Sequence, residues 1–186
     1  MDPREGGTEA DGPSGDDEIR TLARRWPREL IQAGEADALA ARWVESGRAA
    51  EASGRPRWAG GALTPALVNA LFEARRARRL VRGLEEAEAA LRAQALGIGG
   101  ARGVDAPVPD RISRLLLVSE DGSDRFFRKI SSLLRQYSKM LEVYVCACDE
   151  QALGGAVFGE GRRARAVLVD HKEAVVQVLR AIAGGP

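Results

Sequence analysis

The stretch "RISRLLLVSEDGSDRFFRKISSLLRQY", residues 111–137, carries the clearest structural signal in the chain. Its first part holds an unbroken apolar run from Leu115 to Val118, which is typical of a strand buried on both faces. Ser123, a good helix cap, precedes apolar residues that recur at helical spacing. These are Phe126, Phe127, Ile130, Leu133, Leu134 and Tyr137. The stretch therefore predicts a buried strand followed by an amphipathic helix.

The same alternation extends in both directions from this stretch. Upstream, Thr64 and Pro65 are suited to begin a helix, and Gly83 precedes a second one. Strands are expected in "RLVRG" (79–83), "RLLLVS" (114–119), "LEVYVCAC" (141–148) and "RARAVLVD" (163–170), and a last helix in "HKEAVVQVLRAIAGG" (171–185). We therefore predict an α/β fold, a three-layer α/β/α sandwich with a small four-stranded mixed sheet.

The N-terminal third of the chain has a different character. Residues 1–18 are rich in Gly, Pro, Asp and Glu and are expected to form a disordered tail. Residues 19–58 show helical patterning interrupted by Pro27 and Gly34, and we interpret them as a small helical segment of unknown role. The stretch "SGRPRWAGG", 53–61, is interpreted as a linker to a domain spanning 63–184. With no secretory or membrane segment apparent, a cytoplasmic protein without a membrane partner is expected.

Signatures of catalysis are weak in this sequence. The chain lacks a phosphate-binding P-loop and a Gly-x-Ser-x-Gly motif, and it has one histidine and two cysteines. We therefore expect no enzyme activity, no cofactor and no metal centre. Glu120 and Asp121 follow a strand, where they are either a small ligand site or acidic residues that favour a helix N-terminus.

Two arginine-rich segments remain as candidates for binding. The first, "ARRARRLVRG" at 74–83, has five arginines in ten residues, and the second is "EGRRARAV" at 160–167. The whole chain has 28 basic and 27 acidic residues, so its net charge of +1 does not by itself indicate a nucleic-acid partner. Each segment is either a solvated surface or, if the two converge, part of a phosphate-binding patch.

In order and spacing, the segments from 63 to 182 resemble the ribosomal kink-turn-binding family, of the L-seven-Ae and L-thirty-e type. Its bacterial YlxQ-like members show the greatest likeness. Four motifs carry the resemblance: "ARRA" ending a helix (74–77), "GLEE" opening the next (83–86), "SEDGS" after a strand (119–123) and "LGGAVFG" in a short helix (153–159).

The resemblance implies a non-catalytic protein that binds structured RNA, ribosomal RNA included. The family's RNA-facing surface consists of the turn before the second helix and the loop before the last strand. Carried over to this sequence, the implied RNA-binding residues are Arg78, Arg79, Arg82, Gly83, Glu86, Arg162, Arg163 and Arg165.

Two positions depart from the family pattern. Glu85 stands where the family has Asn, and Ala89 stands where it has Lys. An anion in place of an amide repels phosphate and cannot donate a hydrogen bond to a base. The resemblance therefore implies a grip through arginine–phosphate contacts. The alternative is a protein–protein interaction module that kept the fold, and residues 19–58 are a candidate surface for a protein partner.

Overall fold

The structure is a computed structural model that describes residues 15–102 and 110–184. Its helices are α1 (Gly15–Arg25), α2 (Arg28–Gln32), α3 (Ala36–Ala52), α4 (Pro65–Arg76), α5 (Leu84–Arg102), α6 (Asp124–Gln136), α7 (Glu150–Phe158) and α8 (Lys172–Ala183). Its strands are β1 (Ala59–Gly61), β2 (Leu80–Arg82), β3 (Arg114–Ser119), β4 (Leu141–Cys146) and β5 (Ala166–Val169). The chain is thus a mixed α/β protein. No helix among the described residues has the length and apolarity to cross a bilayer.

The five strands form one mixed sheet in the order β1-β4-β3-β5-β2. Strands β1, β4 and β3 run parallel to one another, and β5 is antiparallel to both β3 and β2. In the centre of the sheet, Leu116 lies between Val143 of β4 and Leu168 of β5. The mixed character of the sheet was predicted correctly, but the prediction of four strands was wrong because β1 is a fifth.

Strand β1 lies inside the stretch interpreted as a linker. A Cβ on Gly60 would lie 2.7 Å from the carbonyl oxygen of Val145, and one on Gly61 would lie 2.5 Å from the Tyr144 hydroxyl. The strand can approach β4 this closely because both residues are glycine, the residue that also makes it look like a linker. Ala147 N–H then donates to Gly61 O at 2.9 Å beyond the last pair of the ladder.

Helices cover both faces of the sheet. Leu115 and Leu117 belong to one hydrophobic cluster, which also receives side chains from α1, α3, α4, α7 and α8. Leu116 and Val118 belong to a second cluster, which receives side chains from α5 and α6. The apolar run of β3 is fully buried on both faces, as its sequence predicted.

The N-terminal helices share the first of these clusters with the sheet. Trp43 of α3 packs against Trp26, with ring centroids 5.2 Å apart, and against Tyr144 of β4, at 5.4 Å.

Two helix boundaries differ from expectation. Helix α1 begins at Gly15, because the acidic residues assigned to the tail occupy its first turn and favour its positive end. The sequence predicts a helix over "LEEAEAALRAQAL", 84–96, and a Gly/Pro-rich loop from 97 to 110, but helix α5 continues to Arg102. The first fourteen residues of the predicted tail lie outside the described residues.

Candidate nucleic-acid interface

Six of the eight predicted site residues lie at one edge of the sheet, and Arg78 and Arg79 lie at the other. Strands β1 to β4 all run in one direction and β5 runs in the other. The carboxyl ends of β1, β4, β3 and β2 therefore lie beside the start of β5, at an edge that we call the carboxyl edge. Open α/β sheets often bind their ligands at this edge.

Arg78 and Arg79 lie in the turn that ends α4. Arg78 has a φ of 57°, in the left-handed region that favours glycine. Arg78 N–H donates to Arg75 O and Arg79 N–H donates to Ala74 O, both at 2.9 Å, which closes the helix in the manner of a Schellman motif. The turn exposes the Arg78 side chain and leads into the amino end of β2. Asp170 N–H, just after β5, donates to Arg79 O at 2.8 Å, so Arg78 and Arg79 lie at the edge opposite the carboxyl edge.

Gly83 forms the second turn, between β2 and α5. Its φ is 96°, its N–H donates to Ala166 O at 2.9 Å, and its carbonyl accepts from Ala87 N–H at 3.1 Å. A Cβ on Gly83 would lie 2.6 Å from a carboxylate oxygen of Glu86. The backbone angle therefore requires glycine here, whereas the flexible Glu86 side chain could move away from a Cβ. Glu86 itself is exposed and folds back over this turn.

Arg82 joins the two arginine-rich segments. Its Nε and Nη2 both donate to the carbonyl oxygen of Arg163, at 3.0 and 2.6 Å. Its guanidinium also lies 5.6 Å from the ring centroid of Phe158, and that of Arg75 lies 5.8 Å from the same ring. Arg82, at the end of the first segment, and Arg163, in the second, are 81 residues apart in sequence and are thus neighbours at the carboxyl edge.

The loop from 159 to 165 is held against α7. Gly154 has no room for a Cβ, which would overlap the Arg162 carbonyl and lie 2.5 Å from Ala164 N. Ala164 N–H donates to Glu150 O at 2.8 Å. This contact fixes the backbone of the loop and leaves the three arginine side chains at 162, 163 and 165 exposed.

Several of these cations already have carboxylate partners. Arg165 Nε lies 2.9 Å from Glu150, and Arg163 Nη1 lies 3.8 Å from the same carboxylate. Arg79 pairs with Glu173 at 2.9 Å. Within the described parts of the chain, Arg78 and Arg162 are exposed and have no ion-pair partner.

The two carboxylates that follow β3 point in different directions. Asp121 accepts a hydrogen bond from Ser119 Oγ at 2.6 Å and another from Glu150 N–H at 3.3 Å. Burial alone would raise the pKa of Asp121, but these hydrogen bonds and the nearby Arg165 outweigh it and lower that pKa. Asp121 therefore ties β3 to the start of α7. Glu120 turns the other way and pairs with Arg55 at 3.2 Å. The described residues contain no cluster of three or more side chains able to hold a metal ion.

The cysteines also lie at this edge. Strand β4 ends at Cys146, which is buried, and Cys148 lies beyond it and is partly exposed. A hydrogen bond between the two thiols raises the pKa of Cys146 and lowers that of Cys148.

A cleft beside β1 was missed by sequence reasoning. It has a volume of about 340 Å³ and lies between α3, the segment before β1, and the β3–α6 connection. Its walls include Trp58 and Phe127, whose ring centroids are 5.9 Å apart, and its rim carries Glu120 and Arg55. We call it the aromatic cleft. Trp58, a large aromatic residue in a stretch otherwise typical of a linker, was the available signal.

Comparisons with known proteins identify no family for this chain. No family model matches it, and no curated protein does. Among solved structures, it is similar to a protein of unknown function from Bacillus halodurans, at 22% identity and a TM-score of 0.42. The alignment covers 62% of this chain and 95% of that one.

Proposed function

We propose that this protein is a non-catalytic RNA-binding protein of the ribosomal kink-turn-binding type, built as a three-layer α/β/α sandwich. Its partner is structured RNA, ribosomal RNA included, which it grips through contacts between arginines and phosphates. Specific recognition of kink-turn bases is not part of the proposal, because Glu85 and Ala89 replace the amide and the cation of the family motif.

One observation carries the proposal: the pair of hydrogen bonds from Arg82 to the Arg163 carbonyl. It holds Arg82 beside the loop that carries Arg162, Arg163 and Arg165, so four arginines from two distant segments lie at the same edge of the sheet. Guanidinium groups clustered on a fixed backbone suit the phosphates of a folded RNA, because each planar fork donates two parallel hydrogen bonds. Release of counterions from the RNA adds a favourable, salt-dependent term.

The existing ion pairs do not prevent such a grip. The side chains of Arg165 and Arg163 are 47% and 69% exposed, so their pairs with Glu150 lie in water. Exposed pairs contribute at most about 1 kcal/mol to stability. Exchange of a carboxylate for a phosphate therefore costs little.

The proposal predicts that RNA affinity depends on the arginines of the carboxyl edge. Substituting Arg162, Arg163 and Arg165 together by Ala removes three cations of this edge. Arg82 still holds the two segments together, because its acceptor is the backbone carbonyl of residue 163. The magnitude of the slope of log affinity against log salt should fall by about one unit for each lost phosphate contact. Binding is measured by fluorescence anisotropy on labelled ribosomal RNA fragments from low to physiological salt.

Arg24, Arg28 and Arg135 provide a matched control. All three are exposed. Arg24 and Arg28 flank the end of α1, which lies at the opposite edge of the sheet, where Arg25 hydrogen-bonds to Asp110 and Ser138. Their triple Ala variant lowers the net charge by the same amount. If both variants lose the same affinity, binding follows net charge alone and the proposed site is wrong. A wild-type affinity that does not change with salt contradicts the mechanism.

The second candidate function is a protein–protein interaction module. The observation in its favour is that Arg79, Arg163 and Arg165 are paired with carboxylates of the same chain. This reading predicts no salt-dependent binding of any RNA fragment by the wild-type protein, so the same titration decides between the two.

A further inference from the structure

We propose that the aromatic cleft binds a guanine base that has left the stack of a single-stranded RNA segment. The inference rests on the proposed function, because the RNA has to be held by the arginines nearby. It assigns an RNA-binding role to a site formed in part by the N-terminal helical segment, which the sequence offered only as a surface for a protein partner.

The cleft has the size and the walls of a site for a flat ring. Its volume of about 340 Å³ falls in the range of small-ligand pockets, which is about 300–1,000 Å³. Trp58 is only half-buried, so its ring face remains available, and Phe127 stands beside it at a tilt of 52°. The remaining walls are mostly small or aliphatic: Ala49, Ala50, Pro56, Val145 and Ala147. Stacking on an aromatic ring is how proteins hold unpaired bases.

Glu120 selects among the bases. An ionised carboxylate only accepts hydrogen bonds, and its two oxygens accept two parallel N–H groups. The Watson–Crick edge of guanine presents two adjacent N–H donors, whereas uracil presents one N–H between two carbonyl oxygens that the carboxylate repels. Cytosine and adenine each offer an amino group beside an acceptor. Guanine is therefore the base that fits this rim.

The pair between Glu120 and Arg55 leaves both groups available. Their side chains are 37% and 62% exposed, so the pair is weak. When guanine engages the carboxylate, the Arg55 guanidinium is free to contact the phosphate of the same nucleotide. The cleft therefore offers a stacking surface, a base-reading acceptor and a cation within one site.

The position of the cleft favours RNA over an unrelated small molecule. It lies at the carboxyl edge, between β1 and the end of β3, and the arginine loop precedes β5 at the same edge. Strands β1 and β5 are three positions apart, so about 14 Å of sheet edge separates them. A short single-stranded segment can span this distance, with its phosphates on the arginines and one base in the cleft.

The test uses pentaribonucleotides of sequence U-U-X-U-U, where X is G, C, A or U, and the intact protein. Binding is followed by Trp58 fluorescence, with Trp58→Phe identifying that signal, because Trp26 and Trp43 are buried. If the cleft instead takes up an apolar side chain of a peptide, the four RNAs should bind with equal affinity. We expect the G pentamer to bind at least ~5-fold tighter than the U pentamer, since one bidentate pair discriminates bases by this much or more.

Glu120→Gln is the deciding variant, because it keeps the shape of the side chain and replaces one acceptor by a donor. We expect it to abolish the preference for G while leaving the salt dependence of binding to long RNA unchanged. Glu45, an exposed carboxylate on α3, provides the control. The variant Glu45→Gln should keep the preference for G. Circular dichroism and melting temperature confirm that each variant is folded.

The outcomes separate the two proposals. Equal affinity for all four pentamers, or a G preference that survives Glu120→Gln, overturns the guanine site even if long RNA still binds through the arginines. If no RNA binds in a salt-dependent way, but guanosine monophosphate still quenches Trp58 and Glu120→Gln removes that quenching, the guanine site stands and the proposed grip on RNA is wrong.

Discussion

Glu142 is the residue whose chemistry is most at odds with its surroundings. It lies on β4 with a side chain only 18% exposed, and Arg25 Nη1 is 4.0 Å from its carboxylate. Burial raises its pKa, and this outweighs the hydrogen bond from Val143 N–H, the attraction of Arg25 and a contact with the Trp43 side chain. Burial therefore disfavours the ionised form of Glu142, and holding that charge in the folded state costs stability.

We predict that Glu142→Gln raises the melting temperature at pH 7. The folded-state pKa lies above the unfolded value, so between the two the folded protein binds more protons and is stabilised as the pH falls. The amide has no such titration, and its oxygen keeps the bond to Val143 N–H. The advantage of the variant should accordingly shrink as the pH is lowered towards 4.5, as measured by thermal melts across that range.

Exposed Glu45 gives the comparison for this experiment. Glu45→Gln should change the free energy of unfolding by less than about 0.5 kcal/mol at every pH, as surface substitutions usually do. A Glu142→Gln variant that is less stable than wild type at pH 7 would mean that the attraction of Arg25 exceeds the burial cost, which reverses the assigned direction.

Among the elements, α7 and the arginine loop form a unit that two adjacent glycines can test. A Cβ at Gly154 overlaps the loop backbone at Arg162 and Ala164, whereas a Cβ at Gly155 meets nothing within 4 Å. We predict that Gly154→Ala lowers the free energy of unfolding by about 1–3 kcal/mol through overpacking. Gly155→Ala should raise it by up to about 1 kcal/mol, because alanine favours the helix. Urea denaturation measures both, and similar effects of the two changes would show that the loop does not lie on α7.

The sequence predicted those elements that have a recognisable pattern within their own residues. The apolar run of β3 and the spacing of α6 are local patterns, and both elements formed as expected. Strand β1 has two glycines and no side-chain pattern, and its partner β4 is more than 80 residues away. Only the assembled sheet reveals that Ala59–Gly61 is a strand and not a linker.

The same distinction applies to the candidate site. The sequence identified both arginine-rich segments and the glycine of the turn, because charge and glycine are visible residue by residue. It could not show that Arg82 would donate to the Arg163 carbonyl, since this contact depends on the pairing of β2 with β5. The aromatic cleft was invisible for the same reason, as its walls come from three separate segments.

At the scale of the whole molecule, the N-terminal helices and the sheet are linked by more than Trp43. Arg180 of α8 contacts Glu29 of α2 at 3.0 Å and Glu35, immediately before α3, at 2.9 Å. Both Trp26 and Trp43 are buried in the cluster that contains β3 and α8. A shared core of this kind predicts that the segment 19–58 and the α/β part unfold together.

All three tryptophans lie within the first 58 residues, so fluorescence reports this segment, whereas far-ultraviolet circular dichroism reports helices throughout the chain. We predict coincident urea transitions by the two probes. Leu91→Ala, in the cluster on the opposite face of the sheet, should destabilise the protein by about 2–5 kcal/mol and shift the fluorescence transition as far as the dichroism transition. Trp43→Ala, at about 3–5 kcal/mol, should likewise shift the dichroism transition as a single step. If the fluorescence transition stays in place in Leu91→Ala while the dichroism transition moves, the N-terminal helices are a separate folding unit, and a cleft built partly from them would open before the arginine surface is lost.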